Sequence, residues 1–379
     1  MIVFFTDGIH HHQVYWADEM FRLTGEKFVY VVLDELSERR KKGGFREYER
    51  SYLLKAYESI ENQQQAMSLA QNSDVAIFGA SSLPYQVERM KLGKFSFEVG
   101  ERWLKRGLLN ILSPRLLKNM WYYHTLFHNK QIYKLCSSAY AANDQYFLQS
   151  YKGRCYKWAY FTNVEEYDID AIIAKKSNRK IKILWCARYL WWKHPEMAIY
   201  LAKRLKDAGY EFELNMFGVG ELYDKMSELC NKLGVDDVVC MKGSVPNEQM
   251  VEEMRGHNIF LFTSDRNEGW GAVLNEAMSS GCAVVASNEI GAVPFLLKDG
   301  ENGLIFKSKN LDSLYEKVVL LLNNNELIGE FGKKAYYTML NEWSPKVAAK
   351  NILQLINDLQ KGKDTSIIEG PCSKASPIR

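Results

Sequence analysis

Short continuous apolar runs alternate along this chain with longer segments whose apolar positions recur every three or four residues. In the first half, strands are predicted at Ile2–Thr6, Lys27–Leu33, Val75–Gly79, Lys94–Val99, Tyr133–Ala141 and Lys157–Phe161. Helices are predicted from Val14 to Leu23, over 61–73, from Pro84 to Leu92, and from Ala141 to Tyr151. A charged segment, Glu35–Arg50, reads as exposed. Residues 163–180 are polar and without apolar periodicity. Beyond them the alternation restarts. Strands are predicted at Ile181–Ala187, Phe212–Phe217, Val238–Met241, Ile259–Thr263, Ala283–Ala286 and Leu304–Phe306. The helix from His194 to Gly209 carries Ala198, Leu201, Ala202 and Leu205 on one face. Helices over 325–341 and 346–361 close the pattern, and the chain from Lys363 onward reads as disordered.

Strands alternating with helices imply parallel sheets covered on both faces. The expected fold class is therefore α/β, with two doubly wound Rossmann-like domains facing a cleft. The expected divisions are 1–165 (N-terminal), 166–180 (linker), 181–345 (C-terminal), 346–362 (a helix) and 363–379 (a tail). A length of 379 residues fits two domains of ordinary size. Hydrophobic residues at 47% and charged residues at 25% are those of a soluble globular protein. A net charge of +3 gives no reason to expect nucleic acid. The seven cysteines include no Cys-x-x-Cys pair, which suits reduced thiols in the cytoplasm. No signal peptide and no membrane-spanning run is read.

The candidate chemistry centres on Asn267-Glu268-Gly269-Trp270-Gly271-Ala272-Val273-Leu274-Asn275-Glu276. A strand runs into a glycine turn and then a helix, which Gly281 ends, so unpaired N–H groups favour an anion there. The flanking carboxylates suit sugar or ribose hydroxyls instead. Alone, each Glu is better read as a solvated residue, one at a loop and one on a helix. A second constellation, Arg188…Lys193, lies in one strand-to-helix loop. Two cations there can neutralise a diphosphate and stabilise the charge that grows as it leaves. Phe217-Gly218-Val219-Gly220 and Lys242-Gly243-Ser244-Val245 lie at two further strand ends, and a simple turn is at least as good a reading of each.

In combination these segments, with Gly291-Ala-Val-Pro294 and Asp299-Gly-x-Asn-Gly303, resemble the donor-binding half of glycosyltransferase family 4. That resemblance covers nearly all of 181–345. It implies the GT-B fold, a retaining transfer without a metal or cofactor, and a last helix crossing back to the N-terminal domain. It gives Arg188 and Lys193 to the donor diphosphate, Glu268 to the transferred sugar and Glu276 to the ribose. Gly218, Ser244, Val245, Gly269, Trp270, Gly271, Ala272 and Val273 join the donor-binding set, with Gly8 of the first loop. The N-terminal run Asp7-Gly8-Ile9-His10-His11-His12, with Trp191-Trp-Lys-His-Pro-Glu196, looks like bacterial transferases that build capsular or exopolysaccharides. Where many relatives carry Gly-Gly, this chain has Gly8 and three histidines. Where many carry a His after an N-terminal strand, it has Gly100-Glu101-Arg102.

Three consecutive histidines point in different directions and lack a carboxylate or Cys at ligand spacing, so no metal is expected. His11 and His12 are instead candidates for taking or relaying a proton. Asp168-x-Asp170 reads as a helix cap. The implied partners are a nucleotide sugar, a UDP-sugar first, and a glycan or lipid-linked acceptor. Basic and apolar residues interleave over 102–123, which suits either helices packed on the domain or contact with the cytoplasmic face of the inner membrane. A nucleotide-sugar epimerase of the same fold and a non-catalytic nucleotide-sugar-binding subunit are the alternatives. A dehydrogenase is disfavoured, because no full Gly-x-Gly-x-x-Gly opens the first helix.

Overall fold

The computed structural model describes residues 1–37, 46–177 and 180–378. The chain divides into two units, Met1–Asn163 with Trp343–Arg379, and Val164–Glu342. Each is built on one parallel sheet whose central strands are buried, as helices on both faces of a sheet require.

In the first unit the strands are β1 (Ile2–Thr6), β2 (Phe28–Val32), β3 (Leu53–Lys55), β4 (Val75–Phe78), β5 (Ser96–Gly100), β6 (Ile132–Cys136) and β7 (Cys155–Lys157). Their order is β3-β2-β1-β4-β5-β6-β7. Ile2 lies opposite Phe28 on one side and Val75 on the other, so β1 is central. Edge strand β3 escapes sequence reading because it is three half-buried residues long. The run predicted over Tyr133–Ala141 stops at Cys136, where Ser137 and Ser138 turn the chain before helix Ala141–Phe147. The last strand comes earlier than predicted, ending at Lys157. Of the charged segment Glu35–Arg50, residues 38–45 lie outside the described residues; Arg50 pairs with Asp18 at 2.8 Å.

The second unit contains β8 (Ile181–Cys186), β9 (Phe212–Phe217), β10 (Val239–Gly243), β11 (Ile259–Phe262), β12 (Ala283–Ser287) and β13 (Leu304–Phe306), ordered β10-β9-β8-β11-β12-β13. The residues expected to form a linker at 166–180 are largely helical. Helix Ile169–Ser177 packs within this unit against helix Asn325–Asn341, and residues 178–179 lie outside the described residues. Asp168 Oδ1 accepts from the Ala171 N–H at 3.1 Å, so it caps that helix as read. Lys176, 6% exposed, donates to the Ser280 and Gly281 carbonyls, both at 3.0 Å. A cation there is favoured by the negative end of the helix dipole and satisfies the carbonyls just past helix Val273–Ser279. Gly281 ends that helix at φ +66.

Helix Pro345–Gln360 belongs to the first unit and packs on helix Val14–Thr24. The tail corrects the expectation of disorder from Lys363 onward. Lys157 N–H donates to the Ser373 carbonyl at 2.8 Å and Cys372 N–H to the Lys157 carbonyl at 2.7 Å. Tyr156 and Lys374 form an antiparallel bridge, so the tail covers the otherwise open edge of β7. Asp364 accepts from the Tyr156 hydroxyl at 2.8 Å and pairs with Lys374 at 2.7 Å. A polar composition hides this, because the tail is held mainly through its backbone.

Deleting the chain beyond Lys363 leaves that edge bare and the Tyr156 hydroxyl without its acceptor. The first unit should lose roughly 2–4 kcal/mol and tend to aggregate through β7. Urea unfolding and light scattering of the truncated chain measure both; unchanged unfolding and scattering would show the edge cover to be idle.

Candidate functional site

The order β10-β9-β8-β11-β12-β13 places a topological switch point between β8 and β11, where successive connections leave in opposite directions. The loop after β8 carries Arg188 and Lys193, and the loop after β11 carries Glu268 through Ala272. The two candidate constellations therefore open onto one crevice of one sheet. The β9 loop is locked against the β8 loop. A Cβ on Gly218 would lie 1.9 Å from the Ala187 carbonyl oxygen, and one on Gly220 would lie 2.7 Å from Tyr189 backbone atoms. Tyr189 N–H donates to the Val219 carbonyl at 3.0 Å. Gly218 thus acts by close backbone approach, and its own N–H already donates to the Gly243 carbonyl at 2.7 Å.

One fully buried carboxylate ties the two loops together. Asp265 N–H donates to the Trp192 carbonyl at 2.9 Å. Its Oδ2 meets His194 Nε2 at 3.2 Å and Lys309 Nζ at 2.9 Å, while Oδ1 accepts from the Asn267 N–H at 2.9 Å and side-chain amide at 2.8 Å. His194 is held in the left-handed region, φ 49, and its Nδ1 lies 2.8 Å from Glu196. Thr263 adds a second tie: its hydroxyl donates to the Lys193 carbonyl at 2.6 Å and accepts from Trp185 Nε1 at 2.9 Å. Burial would raise the Asp265 pKa, but Lys309, Asn267 and His194 outweigh it and bring the carboxyl down to about 2. Burial would likewise lower His194, but the bonds to Glu196 and Asp265 raise it.

These ties bring Lys193 Nζ onto Glu268 Oε2 as an ion pair, with side chains 12% and 14% exposed. Ser264 Oγ also donates to that oxygen at 3.2 Å. An ammonium has three donors, so two remain for other acceptors. Arg188 is exposed and forms no ion pair among the described residues. Gly271, at φ +91, has no room for a Cβ, which would lie 2.5 Å from the Phe262 ring. The N–H groups of Gly271, Ala272 and Val273 have no backbone acceptor among the described residues and lie at a partly exposed corner. Gly269 turns the chain just before. Trp270, in the same turn, points its side chain inward. Its indole is fully buried and donates to Asn275 at 2.9 Å, so it wedges the turn from beneath. Gly291 and Ala292, after β12, brace the same turn by donating to the Glu268 and Trp270 carbonyls, each at 3.2 Å.

Glu276 lies in the first turn of helix Val273–Ser279 and accepts from the Asn247 amide at 2.9 Å. Burial pushes its pKa up to about 7, against the lowering effect of that amide. Ser244 is exposed and Val245 half-buried, three and two positions before Asn247. Asn247, Asp265, Thr263 and Lys309 were not singled out from sequence. Asn247 alone carries a usable signal, its place beside Ser244–Val245 at the end of β10.

In the first unit the loop after β1 stands at the equivalent switch point, between β1 and β4. The Tyr30 hydroxyl lies 2.9 Å from the Gly8 carbonyl and 2.8 Å from Gln13 Oε1. His10 turns inward and its carbonyl accepts from the N–H groups of Gln13 and Val14, starting helix Val14–Thr24. His11 and His12 are half-buried, and the His12 ring stacks on Tyr160 at 5.6 Å. Burial first, then His11 and His10, lower the His12 pKa well below its ordinary value, so its imidazole is neutral at pH 7.

Three pH effects follow. Asp265, depressed to about 2, contributes stability above its unfolded pKa near 4, and that contribution is lost as pH falls through 2. His194, raised, contributes below about 6.5, and its share is lost as pH rises through its folded value. Asp265→Asn should cost roughly 2–4 kcal/mol near pH 6 and flatten the acid limb of a stability–pH curve. An unchanged acid limb would remove Asp265 from this role. Glu276 has the opposite sign: its raised pKa makes burial of the ionised form a cost that grows between about pH 4 and 7. Glu276→Gln should therefore stabilise the free protein at pH 8 by up to about 3 kcal/mol, and the gap should close below about pH 4.

Comparison with known proteins agrees with this geometry. A family model described as glycosyl transferases group 1 matches residues 168–338. An uncharacterized glycosyltransferase of Methanocaldococcus jannaschii is 25% identical over 205 residues, covering 54% of this chain and 52% of that protein. The poly(ribitol-phosphate) alpha-N-acetylglucosaminyltransferase of Staphylococcus aureus is 24% identical over 166 residues, covering 44% of this chain and 33% of that one. The chain thus spans about half the length of the first relative and a third of the second. Among solved structures, Anabaena HepE in complex with UDP aligns with a TM-score of 0.67 at 14% identity, over 94% of this chain and 100% of that one. The fold is the GT-B fold of glycosyltransferases. Residues 168–338, nearly the whole second unit, match the model of the group 1 glycosyl transferases, so that unit carries the family's pattern.

Proposed function

We propose that this chain is a retaining glycosyltransferase that works without a metal, moving a sugar from a nucleotide diphosphate to a glycan or lipid-linked glycan. The reading rests first on one observation: Lys193 meets Glu268 at the switch point of the second sheet, with Arg188 in the same loop and uncommitted among the described residues. Lys193 and Arg188 supply two positive charges for the diphosphate, and the N–H groups at 271–273, without a backbone acceptor among the described residues, add donors. Glu268 and Glu276 read hydroxyls, on the sugar and the ribose respectively. Support for a UDP donor comes from HepE, which holds UDP. Support for surface-polymer synthesis comes from the Staphylococcus relative, an N-acetylglucosaminyltransferase acting on poly(ribitol-phosphate).

In the step proposed, the anomeric carbon–oxygen bond to the diphosphate breaks and the acceptor oxygen bonds the same face. The acceptor's proton passes to the departing phosphate oxygen, so no protein nucleophile takes part. Charge accumulates on the diphosphate as the bond lengthens, where Lys193 and Arg188 lower the barrier. On the acceptor side, neutral His12 with His11 offers a relay for the proton.

A panel of nucleotide sugars, read as a rise in melting temperature, identifies the donor, since a ligand bound to the native state stabilises by mass action. At least one UDP-sugar should shift the transition; a flat panel would exclude the nucleotide-sugar reading. With that donor, Lys193→Ala and Arg188→Ala should each lower kcat by roughly 100- to 1,000-fold while the protein stays folded. Full turnover in both would refute this account of the leaving group. Turnover that survives chelation tests the absence of a metal, and product analysis with and without acceptor separates transfer from epimerisation.

A further inference from the structure

Between Arg102 and Lys130 the chain carries six lysines and arginines and no aspartate or glutamate, although the whole chain is nearly balanced at 49 basic and 46 acidic residues. The structure gives this segment two apolar faces. The inner face packs on the domain: Leu104 and Leu116 are buried with Leu148, and Trp103, Ile111 and Met120 lie against them. That face satisfies the ordinary reason for an amphipathic segment. The outer face is left over. Leu108, Leu109, Leu112 and Trp121 are 62%, 83%, 70% and 61% exposed.

Local geometry holds these leucines outward. Gly107, at φ +91, turns the chain into the one-turn helix Leu108–Leu112. Ser113 then caps helix Pro114–Tyr122 by accepting from the Leu116 N–H at 3.3 Å. Large apolar side chains clustered in water mark a surface that something covers. Exposed Arg106, Arg115 and Lys118 flank them. A second copy of the chain would bring the same positive charges against this patch. An acidic protein could meet the charges but would need its own apolar surface beside them. An anionic bilayer supplies both at once, headgroups for the cations and an acyl boundary for the leucines. No described helix is long and apolar enough to cross a membrane, so the contact would lie in the interface.

We propose that the segment Arg106–Trp121 docks the first unit on an anionic phospholipid surface, inserting Leu108, Leu109 and Leu112. The proposal does not depend on the donor or on the transfer step, and its test needs neither. The full chain is floated with vesicles of phosphatidylcholine alone or mixed with phosphatidylglycerol. It should float only with the mixed vesicles, and less so as salt rises. Leu108→Ser/Leu109→Ser/Leu112→Ser changes only exposed side chains and should weaken flotation by roughly tenfold or more. Arg115→Gln/Lys118→Gln should weaken it and reduce its salt dependence. Ile368→Ser, at an isolated residue 88% exposed, should float as the parent does. A parent chain that stays with neither vesicle, or a triple serine variant that floats like the parent, would overturn the proposal. So would a lipid-free dimer in sedimentation that the triple variant converts to monomer, since a second copy would then be the occupant.

Discussion

The buried carboxylate of Asp265 is the constraint on which the second unit's site depends. An isolated ionised carboxylate in a protein interior is far too costly to persist, so it must gather partners or neutralise. Asp265 gathers them from three parts of the chain: His194 from the β8 loop, Asn267 from its own loop and Lys309 from beyond β13. Each partner is thereby fixed in place. Lys193 stands beside His194, and Glu268 beside Asn267, so meeting the electrostatic needs of one carboxylate fixes both halves of the Lys193–Glu268 pair. Thr263 repeats the logic with a hydroxyl, joining Trp185 of β8 to the Lys193 backbone. Loops that would otherwise sample many conformations are held by groups that cannot be left unpaired.

Glycines set the other limit. Gly218 and Gly220 let the β9 loop lie directly on Ala187 and Tyr189, and Gly271 lets the turn lie on Phe262. At the far end of the same helix, a Cβ on Gly332 would lie 2.4 Å from the Gly281 carbonyl, so helix Asn325–Asn341 closes onto its C-terminus. Helix Val273–Ser279 is therefore short but held at both ends, by the glycine turn before it and by Lys176 after it. Glu276 keeps its position because the helix that carries it cannot shift.

Most of the two sheets was legible in the sequence, because buried parallel strands are continuous apolar runs and their number and order survive small errors at the ends. The pairing of Lys193 with Glu268, 75 residues apart, was legible only as two motifs expected at one sheet edge. Asp265, Thr263 and Lys309 were not legible. They act through partners distant in sequence, and nothing in their own neighbourhoods announces a buried network. The place of the Trp270 side chain was not legible either: its motif marks the turn, while its size and its bond to Asn275 put the indole in the core. The tail was misread because composition says nothing of backbone pairing, which is what holds it on β7.

The electrostatics of Glu276 carry the argument one step further. Its carboxyl is buried and its pKa lies at about 7, so the free protein at neutral pH holds a mixture of the ionised and protonated forms. Asn247 donates to one oxygen and favours ionisation, but not enough to offset the loss of water. A ligand that donates hydroxyl hydrogens to this carboxylate supplies the missing bonds and selects the ionised form. Binding of such a ligand must then expel a proton, and its affinity must fall as pH drops below 7. A phosphate or an apolar group placed there would do the reverse. The burial of Glu276 thus favours a diol over an anion at that position, while Lys193 and Arg188 favour an anion at theirs. A nucleotide diphosphate sugar joins those two chemistries in one molecule.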